Sequence, residues 1–283
     1  MRSRAKVIGA FAVHHIMNFV VALLPEARPL IECFKLHKRK STSPFPIFEN
    51  TDYRLIVSGI GQVRAAAATG YMLGQMKGTE PLLNIGIAGH GTLPVGEAFI
   101  GNRIFLREDK SVYYPPPVFD PSIPTSALQT IDHPEKNYPD SIGYDMEAHA
   151  ICTIGYRSIT RELVQVLKIV SDNPSNPLEK FTPDQAVTLI TDKISLIEDV
   201  VSQMKTLTKE LAVDPILLEL ISEIQSSHHF SVTESHQLRR YLERASALGI
   251  KVEKIQSTAN SSQDGKSILS FLEKEIKSLS TFS

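Results

Sequence analysis

Short apolar runs alternate with amphipathic segments along the first two thirds of the chain. The runs at residues 19–24, 53–57 and 82–89 are typical of buried strands. Apolar residues spaced three or four positions apart predict helices in the segments that follow, including residues 62–76 and 183–209. Alternation of strands and helices predicts an α/β fold in which helices cover both faces of a sheet.

Two regions depart from this alternation. Residues 108–143 contain seven prolines and few helix signals, so we expect a surface loop near a site, followed by a helix over 144–156. Beyond residue 209, amphipathic helices follow one another without strands, and the polar stretch 257–267 predicts a linker before the last helix. We therefore expect a main domain over residues 17–208 and a helical extension over residues 209–283.

The N-terminal segment imitates a signal peptide without meeting its requirements. Arginines precede apolar residues, but His14, His15 and Asn18 interrupt the apolar stretch and no small-residue cleavage site follows. No other segment reaches the roughly 18 apolar residues needed to span a bilayer. We expect no membrane contact, and we interpret residues 1–16 as a disordered leader because Met17 directly precedes the first predicted strand.

Composition narrows the class of protein. The 283 residues carry a formal net charge of −1, which disfavours a protein that wraps nucleic-acid phosphates. Cys33 and Cys152 stand far apart, which excludes a disulfide scaffold and a cysteine-based zinc site. Reduced thiols are typical of the cytoplasm, where we expect the protein to reside. We expect no bound metal and no cofactor.

Candidate chemistry lies at the ends of the predicted strands, where open α/β sheets bind their ligands. Four strand ends carry informative residues: Glu26, the glycine turn 58–61, the turn at 88–89 and the pair at 171–172. Glycine turns bring backbone N–H groups close to a ligand, although a tight turn without function explains them equally well. Glu147 at a predicted helix start could accept two sugar hydroxyls or be an ordinary first-turn acid.

Four motifs occur together in a specific order. The chain contains SGIGQVRAAAATG, LLNIGIAGHGTLPVGEAFIGNRI, YDMEAHAI and LKIVSDN. Over roughly residues 17–205 the amino-acid sequence resembles the nucleoside phosphorylase superfamily, and within it the methylthioadenosine/S-adenosylhomocysteine nucleosidases. The resemblance implies a three-layer αβα fold with a central mixed sheet of the phosphorylase/hydrolase kind. The C-terminal helices have no counterpart in the simple nucleosidases.

The resemblance also implies roles for individual residues. Glu26 would orient or deprotonate the attacking water, and Asp172 would protonate N7 of a purine. Met146 would lie under the ribose, and Glu147 would bind the 2′- and 3′-hydroxyls. The remaining candidate substrate-binding residues are Ala88 and Gly89 along the sugar and the nucleophile, Ser171 before the acid, and Lys168.

The sequence differs from the family pattern at three points. Lys168 stands where the family usually has an arginine, which keeps the charge but loses the planar fork. The family's aromatic substrate loop has no counterpart, so a purine would need another stacking partner. Tyr138, Tyr144 and Phe119 are candidates. His90 occupies the place of a small residue, and we interpret it as a surface histidine, with contact to the site as the alternative.

These observations predict a purine nucleoside N-ribosidase that uses water to release the base. A phosphorylase is the alternative within enzymes, with Arg64 as the single candidate phosphate ligand near the glycine turns. A protein that binds a nucleoside or acts as a scaffold without turnover is the alternative from another class. The resemblance further implies a homo-oligomer, and the C-terminal helices are a candidate surface for a protein partner.

Overall fold

The computed structural model describes residues 15–40, 42–76, 80–107, 111–120, 122–177, 182–212 and 215–280. The strands are β1 Met17–Val21, β2 His37–Lys38, β3 Ile47–Glu49, β4 Tyr53–Val57, β5 Leu82–His90, β6 Ala98–Leu106, β7 Val112–Tyr113, β8 Thr125–Thr130, β9 Gly143–Asp145 and β10 Val164–Asp172. The α-helices are α1 Leu24–Cys33, α2 Gln62–Leu73, α3 Ala148–Gly155, α4 Pro183–Asp192, α5 Ile194–Leu211, α6 Pro215–Ser227, α7 Val232–Ala247, α8 Val252–Ser261 and α9 Gly265–Ser280. The chain divides into two compact units between Leu211 and Ala212.

The first unit is built on one mixed sheet. Strand β1 pairs in parallel with β4 and β5, and β5 pairs in parallel with β10. Strands β6, β8 and β9 connect β10 back to β5, so that five strands close into a ring that shares β5 with the open part of the sheet. Because β1, β4, β5 and β10 are parallel, their C-terminal ends meet at one edge, where a ligand site is expected.

Helices cover both faces of this sheet. Phe19 of β1 belongs to an apolar cluster on one face, whereas its neighbour Val20 belongs to a cluster on the other, as the alternation of side chains along a strand requires. The first cluster includes residues of α1, α4 and α5, and the second includes residues of α2 and α3. The predicted three-layer αβα architecture with a mixed sheet is confirmed.

The prediction of a continuous loop over residues 108–143 is wrong. Strand β8 lies within it and pairs with both β6 and β9, which makes it part of the ring. Its sequence TSALQT hides the strand because the buried Gln129 and Thr130 replace the apolar residues that the pattern looks for. The segment also contains β7, and β9 begins at its last residue.

Two predicted helices also need correction. The helix expected over 144–156 begins only at Ala148, because Tyr144 and Asp145 complete a short strand that pairs with β5 and β8. The helix expected over 183–209 is two helices, α4 and α5, with Lys193 between them at φ −107°. An amphipathic period continues across such a break, so the sequence pattern does not reveal it.

The described part of the second unit consists of four helices joined by short connections. Helices α6 to α9 surround one apolar cluster, and Ser231 and Glu234 form a capping box at the start of α7. The linker predicted over residues 257–267 is wrong at both ends, because α8 extends to Ser261 and α9 begins at Gly265, which leaves only residues 262–264 between the helices. Ile255 and Ala259, four positions apart, are both buried and hold this polar segment in a helix.

Two expectations concern the chain outside this core. Of the predicted leader 1–16, residues 1–14 lie outside the described part of the chain. Within the described residues, no helix combines the length and the apolar character needed to cross a membrane.

Candidate active site

A cavity of about 380 Å³ lies at the C-terminal edge of the parallel strands. Seven of the eight predicted site residues line it, namely Glu26, Ala88, Gly89, Met146, Glu147, Ser171 and Asp172. Apolar residues complete much of the wall, among them Ala22, Leu23, Ile60, Ile87, Ile131 and Ala186. The fold thus gathers predicted site residues that are separated by up to 146 positions, from Glu26 to Asp172, into one mostly apolar pocket.

Glu26 is fixed in the first turn of α1. Its Oε2 accepts a hydrogen bond from the Leu23 N–H at 2.8 Å, and its Oε1 accepts one from the Ile87 N–H of β5 at 2.9 Å. The side chain is almost fully buried, and burial raises the pKa of Glu26 more than these hydrogen bonds and the Lys168 charge lower it. Both carboxylate oxygens are therefore held in place in a group with increased proton affinity.

Glu147 lies at the junction between β9 and α3. Its Oε1 accepts a hydrogen bond from the Gly61 N–H at 2.8 Å, which ties α3 to the glycine turn after β4. Gly61 has φ 99°, a conformation that favours glycine. Burial, together with the nearby Asp145 charge, raises the pKa of Glu147 from 4.5 to about 7.

Lys168 is the predicted site residue that the structure does not place in the cavity wall. Its Nζ lies 2.9 Å from Oδ2 of Asp145, and both side chains are buried. Burial alone would lower the pKa of Lys168, but the charges of Asp145, Glu147 and Glu26 outweigh it and raise that pKa. Lys168 therefore lies behind the cavity wall, where its positive charge stabilises the ionised forms of these three carboxyl groups.

Asp145 is a site residue that the sequence reasoning missed. Its Oδ1 accepts a hydrogen bond from the Thr130 hydroxyl at 2.7 Å, and its Oδ2 accepts one from the Ala148 N–H at 2.8 Å. A lysine within a strand that is otherwise apolar indicates a buried cation, and a buried cation requires an acidic partner. That requirement was the available signal for Asp145.

Asp172 lies at the end of β10, where the pairing with β5 shifts register at Ser171. Such an irregularity turns side chains away from the regular alternation, as is common beside functional sites. The Ser171 hydroxyl donates to Oδ1 of Asp172, and the Tyr138 hydroxyl donates to Oδ2. Asp172 is buried, yet it lines the cavity together with both donors.

Two of the three candidate stacking residues lie in the cavity wall. Tyr138 and Tyr144 line the cavity, whereas Phe119 packs against the apolar cluster on the α1 face of the sheet and is not part of the wall. The interpretation of His90 as a surface residue is wrong, because its side chain is only 2% exposed. Its Nδ1 accepts the N–H groups of Thr92 and Leu93, so His90 stabilises the turn after β5.

The charged residues in the cavity wall are all acidic among those that the structure describes. Among the described residues no lysine or arginine lines it, whereas five acidic residues do, namely Glu26, Glu135, Asp145, Glu147 and Asp172. Arg64 is exposed on α2 and does not line the cavity. Such a site can accept and donate protons and bind hydroxyl groups, but it disfavours a desolvated anion.

Comparison with known proteins identifies the fold. No protein-family model matches the sequence, and no curated protein matches it. A solved structure of 5′-methylthioadenosine nucleosidase from Arabidopsis thaliana in apo form matches with a TM-score of 0.57 at 16% identity, covering 66% of this chain and 96% of that chain.

Two bacterial structures match similarly. The methylthioadenosine/S-adenosylhomocysteine nucleosidase of Colwellia psychrerythraea 34H in complex with adenine has a TM-score of 0.52 at 18% identity, covering 68% of this chain and 96% of that chain. The Neisseria meningitidis enzyme in complex with methylthio-immucillin-A has a TM-score of 0.53 at 18% identity, covering 68% and 99%. The first unit thus belongs to an architecture shared with these nucleosidases, and the fold implied by the sequence motifs is confirmed.

The raised pKa of Glu147 predicts a pH-dependent stability. A carboxyl group with a pKa of about 7 when folded and 4.5 when unfolded favours the folded state below 4.5, and this contribution disappears as the pH rises through 7. Glu147→Gln cannot ionise, so the wild type should lose about 3 kcal/mol relative to this variant between pH 4.5 and 8. Urea unfolding followed by circular dichroism at several pH values measures this difference.

Glu32→Gln provides the matched control, because Glu32 is exposed on α1 and does not line the cavity. Its stability should follow the wild type at every pH. A difference between wild type and Glu147→Gln that stays constant from pH 4.5 to 8 would contradict the assigned shift.

The Lys168–Asp145 pair predicts a large stability loss on breaking it from one side. Lys168→Met leaves Asp145 buried without its cation and should cost about 3–5 kcal/mol of unfolding free energy. Adding Asp145→Asn to this variant should recover more than half of the loss, because the carboxylate in direct contact with the missing ammonium is then uncharged. Lys205→Met, which removes a half-exposed partner of Asp52, should cost less than about 1 kcal/mol. A double variant as unstable as Lys168→Met would refute this account of the pair.

Proposed function

We propose that this protein is a purine nucleoside N-ribosidase that hydrolyses the bond between C1′ and N9 with water. The observation that carries the proposal is the convergence of Glu26, Glu147 and Asp172 on one cavity, in a fold shared with solved nucleosidases. The Colwellia and Neisseria structures hold adenine and methylthio-immucillin-A, which supports a purine nucleoside as the ligand class.

Asp172 is the proposed acid for the leaving base. Breaking the N-ribosidic bond places negative charge on the purine, and a proton delivered to N7 neutralises it. Asp172 lines the cavity and is held by hydroxyl groups at both oxygens, which fixes the direction of proton delivery. The proton passes from the Asp172 carboxyl to N7 as the bond electrons move to N9.

Glu26 and Glu147 are the proposed partners of the ribose. Positive charge grows on the sugar as the bond breaks, and nearby carboxylates stabilise it. Glu26 takes the proton of the attacking water, a role that its raised pKa favours. Glu147 accepts hydroxyl groups of the ribose with the oxygens that its bond from Gly61 leaves available, while Met146 lies in the wall beside it.

The charges in the wall support water over phosphate as the nucleophile. Phosphate would require a cation to offset its desolvation next to five carboxylates. Arg64 lies outside the wall, and the Lys168 ammonium already pairs with Asp145. Hydrolysis needs no such cation.

A base-release assay tests this function. Purified protein is incubated with a panel of purine nucleosides, with and without phosphate, and free base is measured by chromatography. We expect release in phosphate-free buffer, and Asp172→Asn should lower kcat by about 10²- to 10⁴-fold while changing nucleoside affinity little. Asp192→Asn, an exposed position outside the cavity wall, should retain wild-type turnover.

Two outcomes would overturn the proposed hydrolysis, and a third would overturn the proposed role of Asp172. Release that depends on phosphate would identify a phosphorylase. No release from any nucleoside, combined with thermal stabilisation by the same panel, would identify a nucleoside-binding protein without turnover. Near-wild-type turnover by Asp172→Asn would show that the acid is another residue.

A second experiment separates binding of the sugar from binding of the base. Glu147→Ala removes the proposed acceptor of the ribose hydroxyls, so it should weaken ribonucleoside binding at least 10-fold more than binding of free adenine. Isothermal titration calorimetry with a slowly hydrolysed nucleoside and with adenine measures both affinities. Equal losses for the two ligands would contradict the ribose-binding role.

Wider properties follow as further parts of the proposal. We propose a cytoplasmic protein because neither Cys33 nor Cys152 is paired in a disulfide. We also propose a homo-oligomer, on the resemblance described above, and a protein partner for the helices after residue 211. Size-exclusion chromatography with light scattering measures the oligomeric state directly.

A further inference from the structure

The acid Asp172 is held from two separate elements of the fold. Ser171 precedes it on β10, whereas Tyr138 belongs to the segment between β8 and β9, and each hydroxyl donates to a different carboxylate oxygen. Two donors on opposite oxygens fix the plane of a carboxylate, because rotation about its last bond would break both hydrogen bonds. A carboxylate has about four acceptor sites, so capacity remains for a ligand.

Tyr138 is placed for this contact at a conformational cost. Its φ is 46°, a region that a tyrosine rarely adopts, and its side chain is only 7% exposed. The ring lies edge-on to Tyr144 with centroids 6.1 Å apart. Burial of the ring and the hydrogen bond to Asp172 therefore offset an unfavourable backbone conformation.

Gly89 of β5 provides the space for this arrangement. A Cβ atom at that position would lie 2.7 Å from Oδ2 of Asp172 and 2.9 Å from Cε1 of Tyr138. Both distances are shorter than van der Waals contact. A side chain at Gly89 would therefore displace the Tyr138 ring and the Asp172 carboxylate from their present positions. Three elements, β5, β10 and the β8–β9 segment, thus meet at the proposed acid.

We propose that Tyr138 is a positioning residue that orients Asp172 for proton transfer to the leaving base. This inference rests on the proposed function, because it assumes that Asp172 is the acid. Tyr138 acts through Asp172. Its hydroxyl should matter when the leaving group needs a proton, and it should matter little when the leaving group departs without one.

The choice of leaving group therefore tests the inference. Tyr138→Phe should lower kcat for a purine nucleoside about 10- to 100-fold with KM changed less than about threefold, because a misdirected acid affects chemistry more than binding. With 4-nitrophenyl ribofuranoside, whose phenolate leaves unprotonated, kcat should change less than about threefold. Equal losses on the two substrates would indicate a general structural role and overturn the inference.

Tyr156→Phe is the matched control. The Tyr156 hydroxyl is also buried, but it has no hydrogen-bond partner among the described residues and does not line the cavity. Its removal should leave the ratio of the two kcat values unchanged. A changed ratio in Tyr156→Phe would mean that loss of any buried phenol produces the effect, and the inference would fail.

A ligand-free measurement separates failure of this inference from failure of the proposed function. Tm is measured for wild type, Tyr138→Phe, Asp172→Asn and the double variant. If the two side chains are coupled, Tyr138→Phe should lower Tm by several degrees in the wild-type background and by less than half as much beside Asp172→Asn. Equal decreases in both backgrounds would overturn the coupling whether or not the protein releases base.

Discussion

The ion pair between Lys168 and Asp145 is the interaction on which the arrangement of the site depends. It joins the middle of β10 to the point where β9 becomes α3, and both partners are shielded from water. A buried pair of this kind contributes little net stability, but loss of either partner leaves an uncompensated charge. Its main effect is positional, because it fixes the strand that carries Asp172 against the turn that carries Glu147.

The same cation also limits the electrostatic cost of the pocket. Five carboxylates line one cavity, and each would resist ionisation if the others were charged and no cation were near. The Lys168 charge lowers the pKa values of both Glu26 and Glu147, although burial still leaves both above their ordinary values. Glu26 and Glu147 therefore both hold a proton more tightly than an exposed glutamate does, which suits acid–base chemistry close to neutral pH.

Residues at the ends of parallel strands could be predicted from the sequence, and residues that depend on distant contacts could not. Glu26, Gly89 and Asp172 follow recognisable strands, and parallel pairing brings strand ends together. Strand β8 was missed because two of its three buried residues are polar, and Asp145 was missed because its partner is 23 residues away in the chain. The contact between Tyr138 and Asp172 depends on the path of a loop that only the completed ring of strands determines.

The site residues fall into two groups, one on each side of the shared strand β5. Gly89, Glu147 and Asp172 lie on or directly beside the closed ring of β5, β10, β6, β8 and β9, in which every strand is held on both sides. Glu26 and the glycine turn at 58–61 lie instead on the open side, next to β1 and β4. In the proposed reaction the ring would hold the base and the sugar, and Glu26, the proposed acceptor of the water proton, is tied to the ring by its hydrogen bond from Ile87 of β5. If that reaction takes place, the relative placement of the two parts at β5 sets the distance between the water and the anomeric carbon.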